Sequence, residues 1–136
     1  MQITKQADYA LRAVLYLSRI EDGSKASTKD IAEMQHIPPS FLAKIVSQLS
    51  IAGLIQTSRG ARGGVTLSRP PEQVSILDVI EAIDGPMLLN ECTGNSHICP
   101  FEGKCPLHEV WCDTRKMMHD KLSTATFAHE NVQPVG

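Results

Sequence analysis

Apolar positions recur at helical spacing through residues 1–53, in three blocks set apart by polar or proline-containing breaks. In the first block, Ala7, Ala10, Leu11, Val14 and Leu17 share one face. Thr4 stands before them with a hydroxyl suited to capping a helix N-terminus, so a helix is expected from there to about Ile20. Ser18 interrupts the apolar pattern, and Glu21-Asp22-Gly23-Ser24 ends the helix in a polar turn. Ser27 or Thr28 opens a second, short helix over 29–35, packing through Ile31, Ala32 and Met34, with Asp30 placed against the positive helix end. His36-Ile37-Pro38-Pro39 is a break, because a residue before proline is pushed out of helical geometry. Pro39 or Ser40 then starts a third helix that runs to about Ala52. Its buried stripe is Leu42, Ile45, Val46 and Leu49; Ser40, Lys44, Ser47 and Ile51 lie on another face. Gly53 stops it.

The period then shortens. Residues 54–58 and 65–68 alternate as strands do, and between them lies Arg59-Gly60-Ala61-Arg62-Gly63-Gly64, a glycine-rich tip with two arginines. Two short helices joined by a tight turn fit an ordinary helical hairpin as well as a helix-turn-helix. The basic hairpin that follows directly favours a winged helix-turn-helix. The glycines let the tip backbone approach a groove, where Arg59 and Arg62 meet phosphates or enter the minor groove. The tip lacks GxxxxGK[ST] and a following helix, which argues against a nucleotide loop.

Beyond Arg69-Pro70-Pro71-Glu72, Ser75 and Asp78 form a capping-box pair for a helix carrying Ile76, Leu77, Val79, Ile80 and Ile83, and Gly85-Pro86 ends it. Pro106 opens a last, long helix whose Leu107, Trp111, Thr114, Met118 and Lys121 or Leu122 recur every three or four residues. A winged helix with its own core has little room for that stripe. A twin helix in a second subunit is the natural partner, with the first helix of the same chain as the alternative. The predicted fold is mainly α: a winged helix-turn-helix with a β-hairpin wing and a long C-terminal dimerisation helix. Its parts are a DNA-binding domain at 1–72, a connecting helix at 73–90, a cysteine loop at 91–105, the dimerisation helix at 106–125 and a flexible tail at 126–136, frayed from about Ala125.

Charge sharpens the division. Residues 1–70 hold nine Lys/Arg and five Asp/Glu, whereas 71–136 hold four and ten, although the whole chain nets only −2. A basic half beside an acidic half fits a DNA-facing module joined to a module with other duties. The candidate DNA contacts are Ser40, Lys44 and Ser47 on the third helix, Arg59 and Arg62 on the wing, and Lys29 on phosphate. Ala43 can read at most a thymine methyl. No signal peptide is visible, and the apolar segment 10–20 is broken by Arg12 and Arg19, so a cytoplasmic protein with no membrane partner is expected. No catalytic triad, carboxylate pair in a cleft motif or nucleotide fingerprint is present, so an enzyme is not expected.

All four cysteines lie between Cys92 and Cys112, together with His97 and His108. Disulfides are disfavoured in a reducing compartment, and clustered thiols there suit a metal centre.

Three stretches in order, ITKQADYALRAVLYL, SRGARGGVTLSR and CPLHEVW, resemble the Rrf2 family of bacterial transcriptional regulators over roughly residues 1–125. The resemblance implies a winged-helix homodimer on a palindromic double-stranded operator. In several members it also implies an iron–sulfur cluster that senses nitric oxide, redox or iron–sulfur status. On that basis Cys92, Cys99 and Cys105 are the expected ligands, a 4Fe–4S cluster being favoured over 2Fe–2S. The IscR branch adds a histidine and the NsrR branch an aspartate from the partner subunit; His108 and Asp8 stand at those two places, with Asp8 preferred. The C-x6-C-x5-C spacing matches neither ferredoxin runs nor paired zinc motifs, so zinc ranks second and a thiol switch third. Cys112, seven residues and about 10 Å of helix rise beyond Cys105, is read as a buried helix thiol or a redox residue rather than a ligand. His97 is read as a surface histidine. The competing functions are a zinc-containing or metal-free thiol regulator, and an iron–sulfur carrier, which would have no use for the basic wing.

Overall fold

A computed structural model describes residues 2–21, 24–89, 93 and 104–128. The order is α1 (Lys5–Arg19), α2 (Thr28–Gln35), α3 (Pro39–Ile51), β1 (Ile55–Ser58), β2 (Gly64–Leu67), a 3-10 turn (Pro71–Gln73), α4 (Ile76–Asp84) and α5 (Pro106–Thr124). Each start is set by the residue the sequence offers. The Thr4 hydroxyl accepts from the Ala7 N–H at 3.1 Å, Ser27 accepts from Asp30, and Ser75 and Asp78 cap each other reciprocally. α2 ends at His36, which sits in the left-handed region at φ 53°, so the chain reverses before Pro38-Pro39 starts α3. β1 and β2 pair antiparallel, with Ile55 opposite Leu67 and Ser58 opposite Gly64. Ala26 bonds Val65 in both directions, at 3.0 and 2.7 Å, and so adds a one-residue third strand that fastens the wing to the entrance of α2.

Ala10, Val14, Ile31, Leu42, Ile45, Leu49, Ile55 and Val65 form the core between α1, α2, α3 and the wing. Val74 and Val79 belong to that same core. The expected boundary at residues 72–73 therefore does not separate two packing units: α4 lies against α1 and helps to complete the winged helix. A second contact ties the same helices, because the Thr4 hydroxyl donates to Asp84 Oδ1 at 2.6 Å.

The expected frayed tail from residue 126 is corrected at its start. The Ile76 N–H donates to the Ala125 carbonyl at 2.8 Å, the Phe127 N–H donates to the Val74 carbonyl at 3.0 Å, and Arg19 Nη1 donates to the Phe127 carbonyl at 2.7 Å. Phe127 is only 1% exposed and joins the core. Burial of the aromatic ring and the three hydrogen bonds together offset the chain entropy of ordering these residues. Residues 129–136 lie outside the described residues. Among the described residues, no helix is long and apolar enough to cross a membrane.

Candidate functional site

α3 turns Leu42, Ile45 and Leu49 inward and leaves Ser40, Ala43, Lys44 and Ser47 in solvent. Lys29, in the first turn of α2, is exposed too, as are Arg59 and Arg62 at the wing tip. The six candidate contacts thus stand on three consecutive elements, none of them spent in the core. The tip depends on Gly63: a Cβ there would lie 2.4 Å from the Ser58 carbonyl oxygen, which no side chain tolerates. The Lys25 ammonium donates to the Ser58 hydroxyl at 3.1 Å and steadies the wing where it leaves the sheet.

One neighbour of this face escaped the sequence reading. Phe41, in the first turn of α3, meets Tyr9 of α1 edge-on with ring centroids 6.0 Å apart. Lys5 and Arg12 flank the same Tyr9 ring at 5.6 and 5.7 Å. The i−4 and i+3 spacing of these cations from Tyr9 could have signalled that they meet its ring; nothing local announces Phe41, 32 positions away. Asp8, one residue before Tyr9, pairs through Oδ2 with Arg12 at 2.7 Å, and both side chains remain nearly half exposed.

Of the cysteine segment, Cys92, His97 and Cys99 lie outside the described residues. Cys105 occupies the N-cap of α5, with no capping hydrogen bond from its side chain, and is a free, half-buried thiol. Cys112 is free and half-buried as well; its Sγ lies 3.4 Å from His108 Nε2, one helical turn back. Among the described residues no three His, Cys, Asp or Glu side chains converge, so a single chain does not bring Asp8 together with Cys105 and His108. Arg115 Nε donates to the Met87 carbonyl at 2.9 Å, linking α5 to the stretch that precedes the cysteines.

α5 buries none of its residues fully. The single stripe expected from the sequence divides in two. Met118 and Leu122 pack on Leu77, Ile80 and Met87 around α4, and Trp111 is half-buried. A second row with 3-4-3-4 spacing, Leu107, Val110, Thr114, Met117 and Lys121, includes apolar side chains 55%, 51% and 72% exposed at Leu107, Val110 and Met117. Between the two rows runs an apolar groove of about 660 Å³ lined by Ile3, Met87, Leu89, Met117 and Leu122.

The profile of the Rrf2 family, described as iron-dependent transcriptional regulators, matches residues 3–129. A helix-turn-helix-type transcriptional regulator of Mycobacterium tuberculosis (strain CDC 1551 / Oshkosh) is 36% identical over 129 residues, covering 94% of this chain and 80% of the relative. The solved structure of CymR, the global cysteine regulator of B. subtilis, superposes with a TM-score of 0.78 at 26% identity, covering 93% of each chain. The T. potens IscR structure shares the fold, with a TM-score of 0.75 at 24% identity over 96% of this chain and 85% of that one. With an exposed outer face on α3, a glycine-dependent basic wing and a family profile spanning nearly its whole length, the chain belongs to the Rrf2 family of DNA-binding transcriptional regulators.

Proposed function

We propose that the protein is a homodimeric repressor of a palindromic operator, whose affinity is set by an iron–sulfur cluster held by Cys92, Cys99 and Cys105 of one protomer and the partner's Asp8. The observation that carries this reading is Cys105: a free thiol at the N-cap of the helix whose outer row is bare. A ligand there joins the metal centre to the proposed dimer seam without an intervening linker. The donor set fits the group, since soft thiolates with one weaker oxygen ligand suit an iron–sulfur centre. When bound, the cluster supplies an iron with a weakly held ligand, open to attack by nitric oxide or oxygen.

The chain's own residues do the rest. Asp8 is nearly half exposed on the first turn of α1, and its Oδ2 is held by Arg12. Nε2 of His108 lies 3.4 Å from Cys112 Sγ, so each candidate already has a neighbour; Asp8 is preferred because a ligand from the partner couples the cluster to dimer geometry. A ligand contributed by α1 of the partner fixes the relative placement of the two winged helices. Ser40, Lys44 and Ser47 read the major groove, while Arg59, Arg62 and Lys29 hold phosphates or enter the minor groove. A 4Fe–4S centre is the favoured nuclearity.

The test is anaerobic purification with a visible spectrum and iron and sulfide analysis. Operator binding of the cluster-bound and cluster-free forms is then measured across salt concentrations. Equal binding by both forms refutes the switch. Asp8→Ala is expected to destabilise the cluster, whereas His108→Ala leaves it intact; the reverse pattern moves the fourth ligand to His108. The likeness to a cysteine regulator favours a second reading, a thiol-only switch, and colourless protein that binds DNA according to its thiol state would establish it.

A further inference from the structure

The first turn of α3 carries an apolar side chain that the proposed operator contacts leave out. Leu42, Ile45 and Leu49 supply that helix's share of the core, whereas Phe41 stays 42% exposed. Tyr9 meets it edge-on at 6.0 Å and covers part of it. Tyr9 itself belongs to the core, so the Phe41 ring leans on a fixed support. An aromatic pair of this geometry contributes beyond the area it buries, which holds the ring in place before any ligand arrives.

Place matters more than exposure here, because single apolar side chains at a surface need no explanation. Ile51 is barer still, but it stands at the far end of α3. The N-terminal residues of a recognition helix are the ones that meet base edges, and Phe41 is among them. Ser40 precedes it and Lys44 lies one helical turn on, both in solvent. The surroundings suit a polyanion: the first turn of α3 holds no acidic residue, and Lys5 and Arg12 flank the supporting Tyr9. Phe41 has no hydrogen-bonding group to offer a base edge. The apolar feature of the major groove is the C5-methyl of thymine. Ala43 offers that feature a single methyl, Phe41 a ring.

We infer that Phe41 is a specificity-determining residue: its ring packs on the C5-methyl of a thymine in the operator's major groove, and Tyr9 is the positioning residue that holds the ring. This rests on the operator-binding reading above and names a base which that reading leaves open. It does not depend on the cluster.

The test starts from a random pool of DNA duplexes and the full chain purified anaerobically. The sites selected by the parent should share a thymine that sites selected by Phe41→Ala lack, with the other shared positions unchanged. A duplex selected by the parent then serves as the probe. Replacing that thymine with deoxyuridine removes only the methyl group. Fluorescence anisotropy should show binding weakened about fourfold, as expected for one buried carbon. Phe41→Ala should bind the thymine and deoxyuridine duplexes alike. Its slope of log affinity against log salt should match the parent's, because no phosphate contact is lost. Tyr9→Phe should keep the discrimination and Tyr9→Leu should reduce it. Should Phe41→Ala fail to fold, Phe41→Gln takes its place. If Phe41 served packing alone, its loss would weaken both duplexes equally and leave the selected sequence as it was, which overturns the inference. So does a deoxyuridine scan in which no thymine of the site is sensitive. A methyl whose loss matters equally to parent and variant belongs to another reader, such as Ala43, and overturns it too. A parent chain that selects no duplex at all refutes the operator reading itself, and this inference falls with it.

Discussion

Met117→Glu is the sharpest probe of the bare row on α5. Leu107, Val110 and Met117 are 55%, 51% and 72% exposed in the single chain. Fully burying such a side chain contributes about 1.5–3 kcal/mol, so covering what remains of the three contributes roughly 3–5 kcal/mol per protomer. A two-fold interface counts each position twice. Met117 alone then accounts for about 2–4 kcal/mol of the association, before any cost of placing two carboxylates in the seam. The dimer dissociation constant is expected to rise by about 30-fold to 1,000-fold, taking 1.4 kcal/mol per factor of ten. Sedimentation equilibrium over a concentration series measures it directly. Ile51→Glu is the control: Ile51 is an equally bare apolar residue, 84% exposed, but it sits on α3 away from the row, and the dimer should be unaffected. If Met117→Glu leaves the dimer within threefold of the parent, or weakens it no more than the control does, the row is not the seam.

Other substitutions test other parts of the structure. Phe127→Ala should cost about 3–5 kcal/mol, as truncation of a fully buried aromatic does, and lower the thermal midpoint by about 10 °C or more; a drop under about 3 °C would place the ring outside the core. Arg62→Ala should weaken operator binding across sequences and reduce the slope of log affinity against log salt by about one, measured by fluorescence anisotropy. Gly63→Ala should distort the wing, because its Cβ would lie 2.4 Å from the Ser58 carbonyl oxygen; loss of operator affinity with a small change in melting temperature is the expected pair of readings. His36→Gly should raise stability by up to about 1 kcal/mol by relieving a left-handed histidine, followed by urea denaturation.

Local signals were legible wherever a few neighbouring residues decide the outcome. Thr4, Ser27 and the Ser75–Asp78 pair announce their helices because a cap reaches only two or three residues along the chain. The alternation around Arg59-Gly60-Ala61-Arg62-Gly63-Gly64 announces the wing for the same reason. What stayed hidden depends on partners far away in sequence. Phe127 is one aromatic in a polar stretch, with no period to mark it, and it is buried only because Val74 and Arg19 receive it. Thr4 and Asp84 are 80 positions apart. Val110 and Met117 escaped notice because a single three-or-four spacing merged Leu107, Thr114 and Lys121 of the outer row with Trp111 and Met118 into one stripe. The His108–Cys112 spacing was in plain view, but its 3.4 Å contact is a matter of rotamers that spacing alone does not fix.

The burial of Phe127 also bears on the order in which the protein comes into being. Chains fold from the N-terminus as they are made. The winged helix leads the sequence, yet one of its largest fully buried side chains is synthesised only after the last turn of α5. A nascent chain that ends before Phe127 still has an unfilled place in the core of its winged helix. Only when α5 has been made, and the chain doubles back between Val74 and Arg19, does the winged helix have a finished interior. A chain truncated within α5 is therefore expected to be loosened and open to proteases rather than a stable lone winged helix.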